Sequence, residues 1–360
     1  SLYAVGKDVL FSARALSGEP LALWKSDGTE EGTMELSESV PPLTISSLVA
    51  VSGERLFAFN RWTLWVTDKT QSGTYEVMNV NPTGLGFWPN NLMDNNGTLF
   101  FATSDGINGT ELWKSDGTPE GTRMDRDINQ NLGNNHCIKV LGAADGWLYF
   151  SANDDVHGFE LWKSDGTESG TTMINDIWPG TASGNISEFN HIGNTIFFVA
   201  DDGIHGYELW KTDGTEAGTV MVKDIWSGDL SSYPTLSNRY STVTDGVLYF
   251  AADDGEHGAE LWRTDGTAEG TYMMVEINPG ASSSSPMEMA TSQGHIFFTA
   301  NDGVHGREVW HLGHQFIAFE TLSDRIATEN AFEIDATASS ELEVSLEIIS
   351  GPATMVGNTV

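Results

Sequence analysis

Residues 186–225 read Ile186-Ser-Glu-Phe-Asn-His-Ile-Gly-Asn-Thr-Ile-Phe-Phe-Val-Ala-Asp-Asp-Gly-Ile-His-Gly-Tyr-Glu-Leu-Trp-Lys-Thr-Asp-Gly-Thr-Glu-Ala-Gly-Thr-Val-Met-Val-Lys-Asp-Ile225. Four short apolar runs, rich in β-branched and aromatic residues, are separated by Gly, Asn and Asp turns. Gly193-Asn194 is a two-residue hairpin signal, with Gly53-Glu54, Asn96-Gly97, Asp145-Gly146 and Asp245-Gly246 in equivalent places. The unit is therefore an antiparallel meander of four strands, and no helical period survives within it.

The unit repeats. Glu-(Leu/Val)-Trp is written five times, four of them followed by Asp-Gly-Thr, and the tryptophans are Trp24, Trp65, Trp113, Trp162, Trp210, Trp262 and Trp310. By subtraction the intervals are 41, 48, 49, 48, 52 and 48 residues. A period of about 40 to 50 residues marks a repeat architecture built from one supersecondary unit. Four strands repeated seven times predict an all-β fold, a seven-bladed β-propeller over residues 1–314. A β-helix needs shorter coils, and a string of sandwiches needs longer units.

With 17 basic and 51 acidic residues the net charge is -34. That excludes a nucleic-acid partner, whose phosphates need Lys and Arg, and adsorption to an anionic membrane. No run approaches the roughly 18 apolar residues of a membrane span. Cys137 is the sole cysteine, so no intrachain disulfide and no cysteine zinc cluster is expected.

Two recurrent turns carry the polar residues. After the third strand comes Ser/Thr-Asp-Gly-Thr-x-x-Gly-Thr, with Asp27, Asp116, Asp165, Asp213 and Asp265, and its short side chains suit a self-stapled hairpin. Between the second and third strands lie Asn153-Asp-Asp-Val-His-Gly158, Asp201-Asp-Gly-Ile-His-Gly206, Asp253-Asp-Gly-Glu-His-Gly258 and Asn301-Asp-Gly-Val-His-Gly306. Adjacent acidic oxygens suit Ca²⁺, which takes six to eight oxygen ligands, and nominate Asp154, Asp155, Asp201, Asp202, Asp253, Asp254 and Asp302. The competing reading of the same residues is turn capping. Near-identical loops supply no distinct acid and base, so no catalytic residue is nominated. The glutamates before each Trp (Glu111, Glu160, Glu208, Glu260, Glu308) need a backbone or His partner. Trp88, Trp178 and Trp226 lie in linkers between units and are the candidate ligand-face aromatics, while Asn96, Asn108 and Asn185 head glycosylation sequons.

These residues resemble the ELWxxDGT repeat family of large secreted or surface-attached bacterial proteins. The likeness covers roughly residues 1 to 312, and Glu160-Leu-Trp-Lys-Ser-Asp-Gly-Thr-Glu-Ser-Gly-Thr171 fits at every defined position. The linker Asp-Ile-x-Pro-Gly also appears as Asp176-Ile-Trp-Pro-Gly180. The second copy departs (Thr63-Leu-Trp-Val-Thr-Asp-Lys-Thr70), and the seventh loses its Asp-Gly-Thr turn. The resemblance implies export and a repetitive scaffold, and brings no catalytic residues.

Beyond Trp310 the pattern changes to Phe316-Ile-Ala-Phe319, Ala336-Thr-Ala-Ser-Ser340 and Ser350-Gly-Pro-Ala-Thr354. Residues 315–360 resemble the first half of a bacterial Ig-like repeat, an incomplete sandwich where a whole one needs about 75 to 100 residues. The seventh unit takes its fourth strand from residues 315–320, lacks one, or receives it from a partner. The expected function is a non-catalytic, extracellular, cell-surface structural or adhesive protein, the repeating subunit of a filament assembled head-to-tail or through neighbouring Ig-like modules. The alternatives are a calcium-dependent glycan-binding propeller and a polysaccharide lyase or hydrolase, for which no carboxylate pair is evident.

Overall fold

The computed structural model describes residues 2–15, 22–36, 48–51, 55–86, 88–130, 138–237, 239–313, 317–319 and 336–338. Their regular structure is entirely β, in seven successive antiparallel sheets over 2–35, 48–79, 90–126, 139–175, 187–223, 242–275 and 287–313. Sheet five shows the pattern: Ser187–Ile192, Thr195–Asp201, Tyr207–Thr212 and Val220–Lys223 pair in chain order. Sheets one to six have four strands each. Sheet seven has three among the described residues. Ile317–Phe319, in the stretch considered for the fourth strand, pairs instead with Ala336–Ala338 in a separate two-stranded sheet. The rest of 315–360, and Cys137, lie outside the described residues.

The sheets pack face to face in a propeller-like arrangement. Phe197, Val199 and Leu209 of sheet five meet Phe250, Ala252 and Trp262 of sheet six in one apolar cluster. Tyr149 and Leu161 of sheet four meet Phe198, Ala200 and Trp210 of sheet five in the next. Each second strand thus faces two neighbours, which is why Ile196-Phe-Phe-Val-Ala200 is continuously apolar rather than alternating. Trp113, Trp162, Trp210 and Trp262 are buried between sheets. Each such ring contributes about 2 to 3 kcal/mol by its removal from water. First strands of consecutive sheets lie side by side, so the inner edge of the array is a row of strands.

Neighbouring sheets are also pinned by polar bonds. Lys163 Nζ donates to Gly214 O at 2.8 Å and Lys211 Nζ to Gly266 O at 2.7 Å, each the glycine of the next sheet's Asp-Gly-Thr turn. Lys114 Nζ reaches Gly166 O in the same way.

Candidate functional site

The repeated acidic motifs fold back on themselves. In sheet five Asp213 Oδ1 accepts from Thr215 N (2.9 Å) and Thr215 Oγ1 (2.6 Å), and Thr215 Oγ1 accepts from Gly218 N at 3.0 Å. Gly218 must be glycine, since a Cβ there would stand 2.1 Å from Asp213 Oδ1. The self-stapled reading of this turn holds. The hydrogen bonds from Thr215 hold the Asp213 carboxyl below the usual range.

The second set of loops closes similarly. Asp202 Oδ1 accepts from Ile204 N and His205 N, both at 2.9 Å, and Oδ2 lies 2.8 Å from His205 Nδ1. Asp154 with His157, Asp254 with His257 and Asp302 with His305 repeat the clamp. Asp201 and Asp253 accept from Gly203 N and Gly255 N two residues on, and Asp155 takes a positive φ of 66° where the other loops carry glycine. The carboxylates of Asp154, Asp201, Asp202, Asp253, Asp254 and Asp302, six of the seven nominated for calcium, are therefore engaged with their own loops. Among the described residues no three His, Cys, Asp or Glu side chains gather as a metal site. Each clamp raises its histidine, chiefly through the Asp hydrogen bond. Against the cost of burial, the same bond and two backbone N–H groups keep Asp154, Asp202 and Asp254 low.

The glutamates before the tryptophans take backbone partners. Glu208 accepts from Ile225 N (3.0 Å), Trp226 N (3.3 Å), Ser232 N (3.1 Å) and Ser232 Oγ (2.6 Å). Glu111, Glu160 and Glu260 do the same for their linkers. Each carboxylate thus ties the linker to the next sheet back onto its own. Burial pushes Glu111 up to about 8 and Glu160 and Glu208 to about 7.

The linker tryptophans divide. A Cβ on Gly203 would stand 2.4 Å from the Trp178 ring, and one on Gly255 would meet Trp226 equally closely, so both indoles lie on the next sheet's loop. Trp88 is 57% exposed and meets Trp62 edge-on at 6.3 Å. Among the sequon residues Asn96 and Asn185 are exposed, whereas Asn108 Nδ2 donates to Asp105 Oδ2 at 2.7 Å.

The cavity lies elsewhere, at the inner strands, and sequence reading did not nominate it. A volume of about 470 Å³ opens where the first strands of sheets three, four and five meet Ser237, lined by Met93, Lys139, Leu141, Phe189 and His191 among others. Such volumes suit small ligands. Phe189 is half-buried with Tyr149 and His191 at 6.2 and 6.3 Å, and lies so close over Gly142 that any side chain there would displace it. Two polar lining residues are committed to the scaffold. Glu188, at φ 55°, accepts from Leu236 N and Ser237 N at 3.1 and 2.8 Å, and Asn190 Nδ2 donates to Ser241 Oγ at 3.0 Å. Lys139 and His191 are exposed, and Lys139 enters no ion pair among the described residues. Only the three-dimensional meeting of strands 50 residues apart creates this site, because 139 and 189 are separated by a whole repeat.

No protein-family model and no curated protein matches the chain. Among solved structures, it is similar to a puromycin hydrolase, at 15% identity and a TM-score of 0.43, covering 86% of this chain and 51% of that one. One of two structurally analysed prolyl endopeptidases gives 11%, 0.44, 89% and 51%. Prolyl oligopeptidase B from Galerina marginata gives 10%, 0.44, 89% and 52%. The chain spans about half the length of these proteins. They are named as a hydrolase and as peptidases. The expectation of a non-catalytic structural or adhesive fibre subunit is corrected on this finding.

Proposed function

We propose that the seven sheets form a seven-bladed β-propeller serving as a recognition module, whose inner-strand cavity binds a small organic acid or the acidic end of a larger molecule. The observation that carries this reading is the pairing of an uncommitted Lys139 and an exposed His191 with the half-buried Phe189 ring in one cavity. Lys139 brings a positive charge to a cavity whose one carboxylate, Glu188, is engaged with backbone donors. A carboxylate on Lys139 gains a charge-assisted hydrogen bond, and an apolar or aromatic body covers Phe189.

Thermal-shift and calorimetric titration with a series of aromatic and aliphatic carboxylates tests it. At least one acid is expected to stabilise the protein saturably, with binding weakened about tenfold by Lys139→Met, the loss of one charged hydrogen bond, and also by Phe189→Ala. If no acid binds, or if Lys139→Met binds as tightly as the parent, the reading fails.

A further inference from the structure

Glycine after asparagine leaves the asparagine's side-chain amide open to attack by the next backbone nitrogen, because no Cβ hinders the approach. The chain carries this pair twice, at Asn96-Gly97 and Asn108-Gly109. The fold treats the two differently. Asn108 is held: its Nδ2 donates to Asp105 Oδ2 and its backbone N–H to Asp105 Oδ1, each at 2.7 Å. Asn96 is exposed at the tip of the hairpin between Asn90–Asn95 and Thr98–Ser104, the first two strands of sheet three.

At that tip Gly97 N donates to Asp94 Oδ1 at 3.0 Å. The nitrogen that must lose a proton before it can attack therefore already points at a carboxylate. In sheets four to seven the place of Asp94 is taken by Ala143, His191, Val243 and Thr291, so the carboxylate is particular to sheet three among these five.

We propose that Asn96 is a self-modifying site, which deamidates with Gly97 N as nucleophile and Asp94 as base. Asp94 Oδ1 takes the proton from Gly97 N, that nitrogen bonds to Asn96 Cγ, and the side-chain nitrogen leaves as ammonia. Water then opens the cyclic imide at either carbonyl and leaves aspartate or isoaspartate at 96. The balance is amide plus water to carboxylate plus ammonium, with no other co-reactant. The fold accepts the aspartate, since Asn96, Asp145 and Asp245 stand at equivalent tips with the same φ of 51°. What changes is the joint with sheet four. Asn95 Nδ2 donates to Gly146 O at 2.9 Å, and a Cβ on Gly146 would stand 3.5 Å from Asn96 Nδ2. Deamidation sets a new negative charge there beside Asp145, and like charges repel.

The test incubates the whole protein, made in a bacterial host, in neutral buffer and follows the amide-to-acid mass change in digests by mass spectrometry. Asn96 is expected to convert at least about tenfold faster than Asn108, and Asp94→Asn, which keeps an acceptor but no base, to slow Asn96 by at least about tenfold. In urea, where the fold no longer separates the two pairs, they are expected to convert at one rate. Conversion of Asn96 no faster than that of Asn108 in the native protein overturns the proposal, as does a native difference that persists in urea. An unchanged rate in Asp94→Asn overturns the assignment of Asp94 as the base.

Discussion

Asp213, Asp202 and Glu208 are three acidic side chains of one repeat, and their environments separate them. Asp213 lies in an exposed turn and answers to Thr215 and its backbone. Asp202 is half-buried and answers to His205. Glu208 is buried and receives up to four donors from one linker. Removing the acceptor of a buried set is the costly case, since each orphaned donor keeps its desolvation penalty. Glu208→Ala is therefore expected to lower unfolding free energy by about 3 kcal/mol, measured by urea titration. Asp213→Ala, in a solvated turn, is expected to cost about 1 kcal/mol. Equal losses would show that burial does not govern these motifs. The turn residues were legible in the sequence because Asp, Thr and Gly form such bonds locally, within five residues. The glutamate's linker was not, since Ile225 and Ser232 lie 17 and 24 residues away.

Strands and sheets obey a similar division. Hairpin spacing and the apolar runs foretold the meanders, because strand pairing across a two-residue turn is decided by neighbouring residues. The joints between sheets are longer-range. Bulges in the first strands put Asn91, Glu188 and Glu288 at positive φ of 52°, 55° and 57°, a conformation Glu rarely adopts. Asn91 bonds to Ile138 O, Glu188 to the backbone of Leu236 and Ser237, and Glu288 to Arg239, each reaching an adjacent sheet. Nothing in the composition of these positions announces a bulge. The cavity depends on such a joint. Gly142→Val, which drives a side chain into the Phe189 ring, is expected to abolish the binding proposed there while circular dichroism retains the β signal. Unchanged binding would remove Phe189 from the site.

For the whole molecule two sets of groups oppose each other with pH, and their balance sets an optimum. Glu111, Glu160 and Glu208 have folded values above their ordinary 4.5, so the stability they contribute is complete below about 4.5 and is lost as pH rises through about 7 to 8. The four clamp histidines are raised above 6.5, so theirs is complete below 6.5 and is lost as pH rises through the folded values. Asp154, Asp202, Asp254 and the turn aspartates are lowered, so theirs is present above 3.8 and lost as pH falls through their folded values. Melting temperature is accordingly expected to peak in mild acid, near pH 5, and to fall steadily toward pH 9. A maximum above pH 8 would contradict these assignments. The net charge of -34 works in the same direction, because self-repulsion eases as carboxylates take protons.

The sequence by itself determined the all-β character, the count of seven units, the hairpins and the local stapling of the Asp-Gly-Thr turns. All of these are encoded within single repeats, where interacting residues are few positions apart. Only the tertiary structure decided which side chains remain available. It committed the loop aspartates to their own turns and histidines, laid Trp178 and Trp226 on the next sheet's glycines, and gathered Lys139, Phe189 and His191 around one cavity. The physical reason is range: a repeat specifies its own hydrogen bonds, whereas a cavity exists only once whole repeats are set side by side.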